Sequence, residues 1–173
     1  MLKQHQNIIL ASKSPRRQEL LKGIGVKFDI ETRNVQEDYD PEMDVYEVPS
    51  FLAELKTTPF LNSEYKKAVV ITSDTVVILD GGILEKPKNE QKAIEMVLKL
   101  SGKTHEVVTG VCILIEGVKN TFSSITKVSF DSITSAEAEY YVKEFKPMDK
   151  AGSYGIQEWI GYTKISKIEG CYY

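Results

Sequence analysis

The sequence predicts a mixed α/β or α+β domain. Three observations carry this reading. Short apolar runs alternate with helix-period stripes along the chain, turn and cap residues punctuate them, and no repeat, low-complexity tract or linker interrupts the pattern. At 173 residues the chain suits one domain over residues 1–173, long enough to bury a core without staples. Its hydrophobic fraction of 42% and charged fraction of 27% are those of a soluble globular protein rather than a disordered or membrane chain.

The elements follow in order. Ile8-Ile9-Leu10-Ala11 reads as a strand that runs through Ser12-Lys13-Ser14-Pro15-Arg16-Arg17 into a helix. Ser14 suits an N-cap and Pro15 the first helical position. Leu20, Leu21 and Ile24 share the helix's apolar face, and Gly25 is its stop. Val26 to Ile30 alternates as a second strand, and the acidic stretch from Thr32 to Asp44 reads as a loop. Pro49 opens a helix that turns Leu52 and Leu55 inward until Pro59. Lys56, four residues after Leu52, lies near that buried face and needs a partner.

Two apolar runs, Ala68–Ile71 and Val76–Leu79, flank Ser73-Asp74-Thr75, and Asp80-Gly81-Gly82 forms the turn that follows. Asn89 caps a helix with the stripe Ala93, Met96, Val97 and Leu100, ended by Gly102. Residues 104–116 and 119–130 form a hairpin about Glu116-Gly117. Thr134 and Glu137 make a capping box for a helix carrying Ala138, Tyr141, Val142 and Phe145. A glycine-rich segment, 149–157, precedes a last strand near 162–168.

Charge and residue choice narrow the function. A net charge of −3 offers no global basic field for a nucleic-acid backbone, so any polyanion must be met by a local cluster, which favours a small phosphate ligand. Only three of the 22 Lys+Arg residues are arginines, and Arg16 and Arg17 are adjacent at the first strand-to-helix turn. The guanidinium fork fits phosphate and carboxylate oxygens, whereas lysine is closer to a point charge. With the N–H groups and dipole of the helix start, this spot suits a polyanion. The plainer alternative is a capped helix with two solvated arginines.

Cys112 and Cys171 lack metal-ligand spacing, and neither His5 nor His105 clusters with cysteine. Zinc is therefore not expected, and metal chemistry would use carboxylates and a hard cation such as Mg²⁺. With no apolar signal segment and no run approaching the roughly 18–20 residues that span a bilayer, the chain reads as a reduced cytoplasmic protein.

Asp74 has two readings. It is an exposed residue of a tight turn between two strands, or it ends a strand facing a cleft, as metal ligand or as the base that activates water. Lys86 is stiffened by Pro87 just before a helix N-terminus. Lys150 and Gln157 flank glycines that would let the backbone approach a ligand.

Five ordered blocks together resemble the Maf family of nucleoside triphosphate pyrophosphatases, historically called septum-formation inhibitors. They are the segments 10–21, 73–77, Leu84-Glu85-Lys86-Pro87, 100–110 and 149–157, and the likeness runs over nearly the whole chain. It implies a single mixed sheet with flanking helices in two lobes around a central cleft, as in ITPase-like proteins. It implies metal-dependent hydrolysis of a nucleoside triphosphate between the α- and β-phosphates, with Mg²⁺ or Mn²⁺ as cofactor.

By the same resemblance Asp74 is the proton acceptor or a metal ligand, with Glu37 as a second ligand. Ser12, Ser14, Arg16, Arg17, Lys56 and Lys86 bind substrate. Arg16, Thr75 and Gln157 match the branch similar to dTTP/UTP pyrophosphatases rather than the 7-methyl-GTP branch. Two departures stand out. Thr57 and Thr58 follow Lys56 where the family usually has alanine, and relatives usually continue beyond the point where this sequence stops at Tyr173, which leaves two readings, a missing C-terminal segment or a natural ending. The alternative function is a non-catalytic nucleotide-binding regulator of cell division. No nucleic-acid or membrane partner is expected, and a homodimer is left open.

Overall fold

The structure, a computed structural model, describes residues 7–173. Its strands are β1 (Ile8–Leu10), β2 (Asp29–Ile30), β3 (Val69–Leu79), β4 (Gly82–Leu84), β5 (Thr104–Ile115), β6 (Val118–Phe130) and β7 (Ile165–Glu169). The helices are α1 (Pro15–Gly23), α2 (Val48–Leu55), α3 (Glu90–Leu100), α4 (Ser135–Phe145) and α5 (Trp159–Lys164). The seven strands form one mixed sheet in the order β2-β1-β3-β5-β6-β7, with β4 paired to β3. β1 lies parallel to both β2 and β3, while β4 and β7 run antiparallel to their neighbours.

The chain divides into two compact units. The first comprises the residues up to Asp74, Thr109–Ser123 and Tyr173; the second comprises Thr75–Val108 and Ser124–Tyr172.

In the first unit the core gathers Ile9, Phe60, Tyr65, Ala68, Val70 and Leu114. α2 lies close upon β5, because a Cβ on Gly110 would land on the backbone of Pro49 and Ser50. Thr72 fixes the same contact from β3: its buried hydroxyl donates to the carbonyl of Ala53 at 2.6 Å, with that of Cys112 at 3.3 Å.

In the second unit α3 and α4 bury the stripes expected of them. Ala93, Val97 and Leu100 are fully inside, as are Ala138, Tyr141 and Val142. Each large apolar side chain so buried contributes about 1.5–3 kcal/mol. The Asn89 side chain accepts from Lys92 N at 2.9 Å, and both halves of the Thr134–Glu137 capping box are present. The two tight turns each carry two successive positive φ values, 52° and 78° at Asp80-Gly81 and 51° and 82° at Glu116-Gly117. That twist matches the hairpins they close.

Four expectations are corrected. The stripe Leu20, Leu21 and Ile24 is not a core face, since no residue of α1 is buried and Ile24 is 74% exposed. The helix is instead held at its first turn by Arg17 and by Gln18, whose Nε2 donates to Ser12 O at 3.4 Å. The second strand shrinks to Asp29–Ile30. The last strand begins only at Ile165. Residues 159–164 form α5, where buried Ile160 joins the core and Gly161 allows close approach to the Ile156 carbonyl.

Finally, Ser73-Asp74-Thr75 is neither a turn nor a strand end but the middle of the continuous strand β3. The charge is tolerated there because cations meet it from outside the sheet.

Gly110→Ala forces α2 off β5 and is expected to cost about 1–3 kcal/mol in urea unfolding; unchanged stability would show that the two elements part without loss. His105 supplies a second expectation. It is 1% exposed, edge-on to Phe130 and Tyr154, with Nε2 2.6 Å from the Tyr154 hydroxyl. Burial pushes its pKa from 6.5 down to about 4. The unfolded chain therefore binds the proton first, so stability is full above about pH 6.5 and falls toward pH 4, by about 3 kcal/mol in all. His105→Gln should flatten that slope relative to wild type, and equal slopes would assign the pH dependence to other groups.

Candidate active site

The site is built on β3 in the first unit. β1 follows β3 in parallel as far as the bond from Ala11 N to Ile71 O, 2.9 Å, and then the chain turns away at Ser12. In a strand, alternate carbonyls face the same edge. The next carbonyl on that edge, at Ser73, has therefore lost its strand neighbour. Arg17 replaces the neighbour, donating from Nη1 to Ser73 O at 2.8 Å. The turn that ends β1 thus delivers a guanidinium beside the residue preceding Asp74. Burial pushes the Arg17 pKa down from its ordinary value; Asp74 opposes this, Arg16 adds to it, and Glu37 opposes it in turn.

α2 brings the second cation. Thr72 anchors Ala53, and moving two residues along β3 and three along the helix places Lys56 against Asp74. The Lys56 ammonium donates to Asp74 Oδ1 at 2.5 Å and lies 3.0 Å from Glu37 Oε2. The Lys56 and Asp74 side chains are 18% and 15% exposed, against 51% for Glu37, so the pair is half-sheltered and Glu37 faces solvent. The departure at Thr57-Thr58 does not displace this lysine. Thr57 is fully buried and its hydroxyl donates to Glu54 O at 2.7 Å, continuing the helical turn beyond α2.

The remaining predicted residues are placed as follows. Ser12 is buried, and its Oγ accepts from Ser14 N at 3.2 Å. Ser14 occupies the N-cap position, but its side chain makes no capping bond, and the first turn of α1 has no acidic residue. Arg16 is exposed, and its charge lies near enough to act on the neighbouring Arg17 guanidinium. Thr75, Lys86 and Gln157 belong to the second unit. Thr75 is half-buried, Lys86 exposed, and Gln157 exposed with Nε2 3.5 Å from Tyr172 O.

Lys150 already has carboxylate partners. It is buried, with ion pairs to Asp149 at 3.0 Å and to Glu158 at 3.1 Å. The nearby glycines serve packing: a Cβ on Gly152 would press on Val77, and one on Gly155 would press on the Glu158 carboxylate.

Sequence reasoning missed Thr72 and the Ser73 carbonyl. The signal for the first was a threonine inside an apolar run; the second is a backbone atom with no signature.

Among the described residues no group of three or more His, Cys, Asp or Glu is set to hold a metal ion. Glu37 and Asp74 nevertheless fit one kind of cation. Mg²⁺ is commonly held by one or two carboxylates, with waters and substrate phosphates completing its shell. The shared ammonium shows that this donor pair already accommodates positive charge.

The family described as Maf-like protein matches residues 7–173. The chain belongs to that family. A dTTP/UTP pyrophosphatase of Phocaeicola vulgatus is 46% identical over 167 residues, covering 96% of this chain and 86% of the relative. One of Christiangramia forsetii is 44% identical over 173 residues, covering 100% and 88%. Among solved structures, the Staphylococcus aureus Ham1 protein superposes with a TM-score of 0.53 over 72% of each chain. At 17% identity, that likeness concerns the fold alone. No helix among the described residues is long and apolar enough to cross a membrane.

Arg17→Met keeps the apolar stem and removes the donor to Ser73. It should cost about 1–2 kcal/mol in urea unfolding. No change would mean that water serves that carbonyl equally well.

Proposed function

We propose that this protein hydrolyses nucleoside triphosphates, with dTTP and UTP as substrates, to the monophosphate and pyrophosphate, as a housekeeper of the nucleotide pool. The observation that carries the reading is the gathering of Arg17, Lys56, Glu37 and Asp74 about one point of β3. The substrate class is drawn from relatives 44–46% identical over nearly the whole chain that bear the name dTTP/UTP pyrophosphatase. Acting on free nucleotides, the enzyme would work in the cytoplasm.

Residue roles follow from chemistry. A triphosphate tail carries several negative charges, and the departing pyrophosphate gains more as the bond breaks. Cations fixed in advance stabilise that developing charge with little reorganisation. Arg17 is held in this way beside Asp74, and Lys56 stands at the same point of β3. The start of α1 adds Ser12, Ser14 and Arg16 and the positive end of the helix dipole, and the Ser14 hydroxyl makes no capping bond.

Asp74 takes the proton of the attacking water or, with Glu37, holds the metal. Glu37 and Asp74 are the residues that would bind Mg²⁺ or Mn²⁺, which when bound offsets phosphate charge and acidifies a water. Thr75, Lys86 and Gln157 are assigned to substrate binding from the family resemblance.

Pyrophosphate release from dTTP and UTP, with Mg²⁺ or Mn²⁺, tests the proposal. Wild type should turn over both, and Asp74→Asn should lose about 10²-fold or more. Equal rates in the two proteins would remove Asp74 from the mechanism, and no release by wild type would remove the function.

A further inference from the structure

Lys56 spans the two carboxylates that the preceding reading gives to a metal. Its Nζ lies 2.5 Å from Asp74 Oδ1 and 3.0 Å from Glu37 Oε2. We propose that Lys56 is a built-in counter-ion, which holds Asp74 and Glu37 in the nucleotide-free protein and must release them for a divalent cation to bind. The released ammonium then passes to the phosphate tail. This inference rests on the pyrophosphatase reading and adds to it an order of events.

Three features support it. The first is steric and electrostatic. Mg²⁺ binds oxygen at about 2.0–2.1 Å, so a metal on these two carboxylates competes for the oxygens that receive the ammonium. Two cations on one pair of acids also repel each other.

The second is mobility. Lys56 stands just past the end of α2, on a four-carbon stem whose compact head moves without moving the helix. Arg17 stands differently, with Nη1 already donating to the Ser73 carbonyl. The third is access. Glu37 lies in a segment without helix or strand, half exposed, and the Lys56 ion pair ties that segment to β3. A cation arriving from solvent meets Glu37 first.

The consequence is coupling. A metal alone must displace a matched cation and leave it without a partner, so it binds weakly. A metal with a triphosphate gives the ammonium a new anion, so each ligand strengthens the other by the same factor. The site is thereby biased against free metal and toward the metal–nucleotide pair.

Mn²⁺ binding to the nucleotide-free protein, followed by calorimetry and by the electron paramagnetic resonance of free Mn²⁺, tests this without turnover. Lys56→Met and Lys56→Gln should bind Mn²⁺ about tenfold more tightly than wild type, a step within the usual range of such couplings. Adding Glu37→Gln to either should abolish the gain, and Lys56→Arg should stay weak. In wild type a non-hydrolysable triphosphate should tighten Mn²⁺ binding more than it does in Lys56→Met.

Unchanged or weaker Mn²⁺ binding by both neutral variants, with native circular dichroism, overturns the proposal. If neither variant folds, wild type decides alone, and absence of coupling between Mn²⁺ and the triphosphate overturns it. Pyrophosphate release by wild type, measured in parallel, separates the two failures. Turnover without competition sinks the role of Lys56, whereas competition without turnover sinks the pyrophosphatase reading.

Discussion

A carboxylate in the middle of a strand governs the first unit. Asp74 is the sixth residue of β3, between the apolar runs Val69–Ile71 and Val76–Leu79, and its side chain is half-sheltered from water. Taking an ion from water costs several kcal/mol unless paired charge and hydrogen bonds offset it. Here Lys56 pairs with it directly, and Arg17 adds charge from the neighbouring carbonyl. Lys56 depends in turn on the seating of α2, which needs the Thr72 hydroxyl on Ala53 and the bare Cα of Gly110. A polar residue, a glycine and a helix with no evident relation in sequence are thus parts of one electrostatic arrangement.

The second unit handles its buried charge differently. Lys150 and Glu158 are paired, the Tyr141 hydroxyl donates to that same glutamate, and Gly155 N donates back to Tyr141 Oη at 3.0 Å. Each polar group has a partner, so the cluster is of the satisfied kind that fixes a loop rather than the exposed kind that awaits a ligand. Glu158 is consumed by it, which explains why it stands at the start of α5 without capping that helix. A lysine paired with carboxylates is thus enclosed at Lys150, whereas at Lys56 it joins a solvent-facing glutamate to the strand.

What the sequence disclosed follows the range of the forces involved. Caps and tight turns are settled within four residues, and Asn89, Thr134–Glu137, Asp80-Gly81 and Glu116-Gly117 are where local chemistry puts them. The stripes of α3 and α4 were legible because period and burial coincide over eleven residues. α1 was misread since its anchor is one long-range bond, Arg17 to a residue 56 positions away, which no periodicity records. β3 was broken in two for the same reason. A propensity reading sees a charge in an apolar run and inserts a turn, whereas the chain supplies compensation from elements distant in sequence. Arg17, Lys56, Glu37 and Asp74 were legible as residue types, and the bonds that bring them together were not.

The choice of arginine at 17 and lysine at 56 follows from what each must hold. A carbonyl at a strand edge lies in a fixed plane, and a planar guanidinium matches it with one well-directed N–H. Two carboxylates from different segments, one on a strand and one in an irregular loop, share no plane. A rotatable ammonium with three donors serves both without demanding their alignment. Exchanging the two residue types would leave the charge intact and lose both fits. Net charge at this site is therefore the lesser part of its design; the match between each cation's donors and the groups it holds is the greater.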